Sequence, residues 1–96
     1  MDNTITLRKI MPAETCSCLK ALLEERGLKP KDVVNSLWLE SVQSVYKWYA
    51  TAKGKLTIMP SLSNLVQICF ILDVKMEDII VCEDIVVQQQ DDFLLN

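Results

Sequence analysis

Apolar residues recur at the three- and four-residue spacing of amphipathic helices in four parts of the chain. These parts predict helices near 16–26, 31–37, 41–50 and 62–72, and the acid-led KMEDIIV predicts a short fifth helix near 76–81. The predicted core is formed by the apolar faces of these helices: Leu19, Leu22, Leu23, Val33, Val34, Leu37, Val45, Leu62, Leu65, Val66, Cys69 and Ile79.

Local signals mark where several of these helices begin and end. Thr15 or Ser17 can cap the first helix, and Gly27 can close it in the left-handed conformation. Pro30 suits the first position of the second helix, and Ser61 is placed to cap the fourth. These signals support the helix assignments independently of the apolar spacing.

Two segments alternate apolar and polar residues with a period of two, which is typical of strands. They are TITLRKI near the N-terminus and KLTIM at 55–59. The expected fold is therefore all-α, a bundle of five helices, with the option of a short strand pair. That pair would join the N-terminal segment to either 55–59 or the C-terminal segment. The expected division is an arm or strand at 1–14, a helical domain at 15–82 and an acidic tail at 83–96.

The chain lacks the residues that the commonest catalytic and metal sites require. It contains no histidine, so a serine or cysteine nucleophile would have no imidazole base. No pair of cysteines has the gap of about two to four residues that zinc knuckles need. The four cysteines are Cys16, Cys18, Cys69 and Cys82. We therefore expect a protein without enzymatic activity, metal or cofactor.

The apolar segments do not predict a membrane protein. MDNTITLRKI alternates in character and does not form the apolar block of a signal peptide. The richest apolar stretch, LVQICFILDV, is shorter than the roughly 20 residues that span a bilayer. A cytoplasmic protein with no membrane partner is the expectation.

Charge is unevenly distributed along this acidic chain, whose net charge is −3. Residues 19–60 hold seven cations against four acids, whereas residues 61–96 hold one cation against seven acids. Within the cationic part, SVQSVYKWYATAKGK at 41–55 carries three lysines and no acid. Its hydroxyl, amide, phenol and ammonium groups are typical of a nucleic-acid contact, and an ordinary solvated helix face is the alternative.

Four pieces of the sequence, in this order and spacing, resemble a known family. They are LLEERGL, KDVVNSL, SVQSVYKW and PSLSNLVQICFILDVKMEDIIV, and together they cover about residues 15–82. The chain resembles the lambda-repressor-like (Cro-type, XRE) DNA-binding family, in particular a bacterial branch whose third helix ends in YKW. The resemblance implies a five-helix helix-turn-helix bundle whose third helix lies in the major groove.

The resemblance also implies roles for individual residues. Ser41 would cap the third helix and touch phosphate, and Gln43 would reach a base edge, for which adenine is the best match. Val45 and Trp48 would be structural. The residues expected to contact DNA, including two lysines just past the helix, are Ser41, Val42, Gln43, Ser44, Tyr46, Lys47, Lys53 and Lys55.

Four features depart from the family's pattern. Lys29 replaces the usual Ser or Thr cap of the second helix, and Pro30 stands where a phosphate-contacting Gln is common. Trp38 stands where a turn glycine is usual, and because a left-handed tryptophan costs roughly 1–2 kcal/mol, we expect a reshaped turn. The segment from Trp48 to Pro60 is also longer than usual, as in a bulging wing.

The resemblance implies a sequence-specific transcriptional regulator that binds double-stranded DNA, related to phage, mobile-element or toxin–antitoxin proteins. A homodimer is expected, because half of the residues are apolar and one small core cannot hold them all. The candidate dimer surfaces are the N-terminal strand, the 55–59 segment and residues 82–95. The alternative is a helix-turn-helix module that binds another protein, as an anti-repressor or antitoxin subunit, with little DNA affinity.

Overall fold

The computed structural model describes residues 4–88. Its elements, in chain order, are β1 (Thr4–Ile10), α1 (Pro12–Glu25), α2 (Pro30–Leu37), α3 (Gln43–Ala52), α4 (Leu62–Leu72) and β2 (Cys82–Gln88), with one 3₁₀ turn at Met76–Asp78 before β2. The predicted all-α bundle of five helices is therefore wrong. The described chain has four α-helices and one two-stranded antiparallel sheet.

The predicted fifth helix shortens to a single turn because the following residues favour an extended chain. The carboxylate of Asp78 accepts a hydrogen bond from the N–H of Lys75 at 2.9 Å, which closes the turn. Ile79 then enters the core with no exposed surface, as predicted. After it comes a run rich in β-branched residues, which suits a strand better than a helix.

β1 and β2 form a two-stranded ribbon, with Thr4 opposite Gln88 and Ile10 opposite Cys82. The 55–59 segment is not a strand. Because side chains alternate between the faces of a strand, one face of the ribbon carries only apolar groups along most of its length. These groups are Ile5, Leu7, Ile85 and Val87. The other face carries an exposed ion pair, with Arg8 Nε 2.9 Å from the carboxylate of Asp84.

The helices enclose one core, in which α1 packs mainly against α3. The residues that the structure buries in it are Cys16, Leu19, Leu23, Val33, Val45, Trp48, Leu65, Ile68, Cys69, Leu72 and Ile79. Leu22, Val34 and Leu37 are partly buried against this core. The prediction of Leu62 and Val66 as core residues is wrong, because both are exposed. α4 is apolar on two faces, and the face that turns inward carries Ile68 and Leu72.

α1 begins at Pro12, four positions before the predicted start, and neither Thr15 nor Ser17 caps it. Thr15 is buried instead, and its hydroxyl accepts a hydrogen bond from the N–H of Val81 at 3.0 Å. The N–H of Met11 donates to the carbonyl of Val81 at 2.8 Å. These bonds join the start of α1 to the base of the ribbon.

The C-terminal end of α1 is closed as predicted, with Gly27 in the left-handed region at φ 71°. Its N–H donates to the carbonyl of Glu24 and the N–H of Leu28 donates to that of Leu23, both at 2.9 Å. This pair of bonds is the Schellman motif, which satisfies carbonyls left free at a helix end. Leu28 is partly buried against the core, so the motif also fixes the approach to α2.

The cysteines of the structure are all free thiols. Burial raises the pKa of the Cys16 thiol to about 11, whereas Cys82 is exposed on β2. Over residues 4–88 no group of three or more His, Cys, Asp or Glu side chains could hold a metal ion. Within the same range no helix combines the length and the apolar character that crossing a bilayer requires.

Candidate nucleic-acid interface

α3 has one buried face and one open face. Val45, Trp48 and Thr51 line the buried face, and none of them exposes more than 3% of its surface. Gln43 and Lys47, one helical turn apart, are exposed on the other side of the helix. The predictions that Val45 and Trp48 are structural are confirmed. The core therefore fixes which α3 side chains project outward.

The N-cap of α3 is Val42, so the expectation that Ser41 caps this helix is wrong, although the hydroxyl of Ser41 bonds to its first residue. The Oγ of Ser41 accepts a hydrogen bond from the N–H of Gln43 at 3.2 Å. The carbonyl of Val42 accepts the first intrahelical bond, from the N–H of Tyr46 at 3.1 Å. Gln43 is therefore the first residue of the helix, and the predicted start at residue 41 is two positions early.

The structure places the predicted contact residues at two neighbouring parts of the surface. Six of them lie around the first turns of α3. The exposed ones are Ser41, Gln43, Tyr46 and Lys47, and the half-buried ones are Val42 and Ser44. Lys53 and Lys55 are exposed at the opposite end of the helix. From Lys47 to Lys53 the helix rises about 9 Å, a distance that a single DNA-bound surface can cover.

A second Schellman motif ends α3 and orients its last lysines. Gly54 takes the left-handed conformation at φ 79°. Its N–H donates to the carbonyl of Thr51 at 2.9 Å, and the N–H of Lys55 donates to that of Ala50 at 3.0 Å. Because Lys53 and Lys55 flank this glycine, their backbone positions are set by the helix end. α3 runs two residues further than predicted, to Ala52.

The long segment after α3 folds back and is attached to it by one buried side chain. The hydroxyl of Thr51 donates to the carbonyl of Ile58 at 2.6 Å and accepts from the N–H of Ile58 at 2.9 Å. Thr51 has no exposed surface. The segment is therefore a loop held against the last turn of α3. The role of Thr51 was not predicted, because a threonine inside a helix gives no sequence signal for a contact seven residues away.

The turn between α2 and α3 has an unexpected geometry. Trp38 takes the left-handed conformation, at φ 54° and ψ 42°, and its N–H donates to the carbonyl of Val34. The N–H of Leu39 donates to the same carbonyl at 3.1 Å. The expectation of a reshaped turn is therefore wrong: the tryptophan adopts the conformation that a glycine usually takes. The side chain of Trp38 is 92% exposed.

α2 begins without the usual hydroxyl cap. Pro30 is its first residue, as predicted, and Lys29 precedes it in an extended conformation. The carboxylate of Asp32 accepts the N–H of Lys29 at 2.9 Å, which is one half of a capping box. The other half is missing because a lysine side chain has no acceptor for the amides of the first turn.

The electrostatics of the α3 surface follow from the absence of acids between residues 41 and 55. In the part of the chain that the structure describes, ion pairs join Arg8 to Asp84 and Lys20 to Glu24. Neither pair involves a lysine of the α3 surface. The charges of Lys47, Lys53 and Lys55 are thus directed to solvent and can attract an anionic partner.

Comparison with protein families identifies the fold. Residues 18–84 match the family model of the Cro/C1-type HTH DNA-binding domain. The chain belongs to this family. No curated protein and no solved structure gives a significant match. The match begins in α1 and ends in β2, so the Cro/C1-type domain includes all of α2, α3 and α4.

Proposed function

We propose that this protein is a sequence-specific transcriptional regulator that inserts α3 into the major groove of double-stranded DNA. Membership of the Cro/C1-type family supports DNA binding in general. The observation that carries the finer proposal is the arrangement of α3, with Gln43 and Lys47 open to solvent directly across the helix from a fully buried face. A helix held in this way presents the same few side chains to every DNA site.

The first turns of α3 would supply the base contacts. Gln43 carries an amide that can donate and accept at once, which matches the N6 and N7 edge of adenine. Val42 can contact a thymine methyl, and Ser44 and Lys47 can reach a base or a phosphate. The hydroxyl of Tyr46, which is 52% exposed, suits a phosphate oxygen.

The two ends of the α3 surface would position the helix on the sugar-phosphate backbone. Ser41 would contact phosphate near the helix start, where amide N–H groups also favour an anion. Lys53 and Lys55 would add charge at the other end, held in place by the Schellman motif at Gly54. Backbone contacts of this kind fix register without reading sequence.

Binding of the wild type to a random DNA pool at two salt concentrations tests whether the protein binds DNA. Selection from this pool then yields the preferred site of the wild type, against which the variants are measured. Gln43→Ala should cost about 1–3 kcal/mol, mainly through one base pair per half-site. Lys53→Ala and Lys55→Ala should weaken binding to all sequences and reduce the salt slope by about one each per monomer. The base-specific and the backbone effects differ in kind, so the two sets of variants separate them.

Matched controls lie outside α3. Gln88→Ala removes an exposed amide from the ribbon, and Lys75→Ala removes an exposed ammonium that precedes the 3₁₀ turn. Both controls should bind DNA as the wild type does. If the wild type binds no DNA at low salt, the proposal fails and the protein-binding alternative takes its place.

A further inference from the structure

The outward face of α4 is an apolar surface on an uncharged helix. None of the 11 residues of α4 carries a charge. Leu62, Val66 and Phe70 follow each other at four-residue spacing and are 71%, 52% and 84% exposed. Residues four apart are neighbours on a helix surface, so the three side chains form one continuous stripe. Large apolar side chains grouped in this way mark an interaction site more often than scattered ones do.

The exposed tryptophan of the α2–α3 turn extends this stripe. Trp38 and Gln67 line the same shallow depression, together with Ser36 and Leu37. On α4, Gln67 lies within one turn of Phe70 and of the exposed Ile71. The surface that we call the α4 face therefore consists of the side chains Trp38, Leu62, Val66, Phe70 and Ile71, with Ser63 and Gln67 between them.

Among residues 4–88 no packing contact accounts for tryptophan at position 38. Its left-handed backbone costs roughly 1–2 kcal/mol, which a glycine would avoid. With 92% of its surface exposed, the side chain contributes almost no packing to offset that cost. A strained residue whose side chain points into solvent is a hypothesis for function. An aromatic side chain in this state is typical of the anchors at protein interfaces.

The exposed area of the α4 face is large enough for a specific contact. Taking about 200 Å² for an aromatic side chain and about 100 Å² for an aliphatic one, its exposed fractions amount to roughly 500 Å². Two such faces would bury roughly 1,000 Å², which is the lower bound for a specific interface. The same estimate gives only roughly 150 Å² for the apolar face of the ribbon.

We propose that the α4 face binds the α4 face of a second copy of this chain. A two-fold contact brings the same surface of both copies together, so any charge on the face would lie near the equivalent, like charge of the second copy. The α4 face carries none, while its two polar side chains, Ser63 and Gln67, can form neutral hydrogen bonds across the axis. An uncharged apolar face of this size can therefore bind the same face of a second copy without bringing like charges together.

The dimer surfaces predicted from the sequence did not include α4, because Leu62 and Val66 were assigned to the core.

Sedimentation equilibrium of the full chain without DNA tests the proposal, from roughly 1 to 100 µM, where an interface of minimal size assembles. The wild type should approach twice its mass of 10.9 kDa. Phe70→Lys should raise the dissociation constant of the dimer about thirtyfold or more, as loss of an interface anchor does. Val86→Lys, at a position 68% exposed on the ribbon, is the matched control and should leave the dimer intact.

A second variant guards against loss of the fold. Gln67→Glu keeps the size of an exposed side chain and places a like charge on each of the two opposed faces, so it should also dissociate the dimer. Circular dichroism should show both α4 variants as helical as the wild type. In addition, acrylamide quenching of Trp38 fluorescence should fall as the wild type dimerises and stay high in Phe70→Lys.

Three results would overturn the inference. The first is a wild type that remains monomeric at about 100 µM, which would leave the α4 face to a different protein. The second is a dimer that tolerates Phe70→Lys and Gln67→Glu but dissociates on Leu7→Lys, which would place the contact on the ribbon. The third is quenching of Trp38 that does not change with protein concentration. Since these measurements contain no DNA and change no residue of α3, failure of the DNA-binding proposal would leave the dimer result unaffected.

Discussion

Replacing Thr51 by valine isolates one hydroxyl group that joins α3 to the loop after it. Valine has nearly the same shape, so the substitution creates no cavity, and its helix propensity is similar to that of threonine. What disappears is the pair of hydrogen bonds, 2.6 and 2.9 Å long, between the hydroxyl and the backbone of Ile58. A contact of 3.0 Å from the hydroxyl to the carbonyl of Lys47, within α3, is removed with them. The variant therefore measures all the bonds of this one hydroxyl, of which the two to Ile58 attach the loop.

The expected loss follows from the burial of the two partners. A buried polar group left without a partner costs about 1–3 kcal/mol. The Thr51 side is fully buried, but Ile58 is 42% exposed, so water can satisfy part of its backbone. We therefore expect Thr51→Val to lower the free energy of unfolding by about 1–2 kcal/mol. For a domain of this size, that corresponds to a decrease of about 4–16 °C in melting temperature.

Urea denaturation followed by circular dichroism measures the global loss, and amide hydrogen exchange at Ile58 measures the local one. Thr57→Val is the matched control, because Thr57 lies in the same loop but is exposed. Its effect should stay within about 0.5 kcal/mol. An unchanged stability of Thr51→Val, or an equal loss in Thr57→Val, would refute the reasoning that the buried hydroxyl holds the loop.

Three further outcomes are expected. Trp38→Gly should raise the free energy of unfolding by about 0.5–1 kcal/mol, because the relief of left-handed strain exceeds the entropy that glycine adds to the unfolded chain. Thermal melting at a protein concentration too low for dimer formation measures this change, and a loss of stability would contradict it. In thiol titration followed by mass spectrometry, the exposed Cys82 should react quickly, whereas Cys16, which is buried and has a pKa of about 11, should react only on unfolding. Fast labelling of Cys16 in the native state would argue against its burial. The Arg8 guanidinium lowers the pKa of Asp84, so this ion pair stabilises the ribbon above the ordinary carboxyl pKa, and its contribution is lost as pH falls through the lowered value. Amide exchange in β2 should increase in that pH range relative to an Asp84→Asn control. Identical exchange profiles for the two proteins would exclude the ion pair as the cause of the increase.

Short-range signals in the sequence predicted most of the helical part of the fold. Ser61 caps α4, its hydroxyl accepting the N–H of Asn64 at 3.1 Å, and α4 spans the residues predicted for it. Gly27 and Gly54 both take the left-handed conformation at helix ends. Each of these features depends on a few neighbouring residues, so the sequence contains the information directly.

The errors arose where two arrangements fit the same pattern. α4 is apolar on two faces, so residue spacing could not decide between a core through Val66 and a core through Ile68. The sequence left open whether the N-terminal strand pairs with 55–59 or with the C-terminal segment, and the structure shows the second pairing. That choice depends on residues at opposite ends of the described chain, for which no local signal exists. The identity of residue 38 suggested a reshaped turn, but strain of about 1–2 kcal/mol is small enough for the rest of the fold to impose it.

The candidate interface was predicted in part. Composition and charge alone identified residues 41–55 as the segment without acids, and the structure exposes its Gln43, Tyr46 and Lys47 on α3. The sequence could not show that the loop beyond Lys55 is held by Thr51, nor that Trp38 is exposed beside α4. Both depend on contacts between elements that only the packed structure defines.

The ribbon joins residues that a ribosome makes far apart in time. β1 is synthesised before all the helices, and its partner β2 after all of them. At about 5–20 residues per second, Ile10 waits roughly 4 to 15 s for Cys82 to be added. During that interval β1, with Ile5 and Leu7, is a strand without its partner, and any other extended chain can pair with it. The helices, which need only nearby residues, can pack meanwhile, so the ribbon is expected to close last and nascent chains to be most vulnerable to misassociation at their first strand.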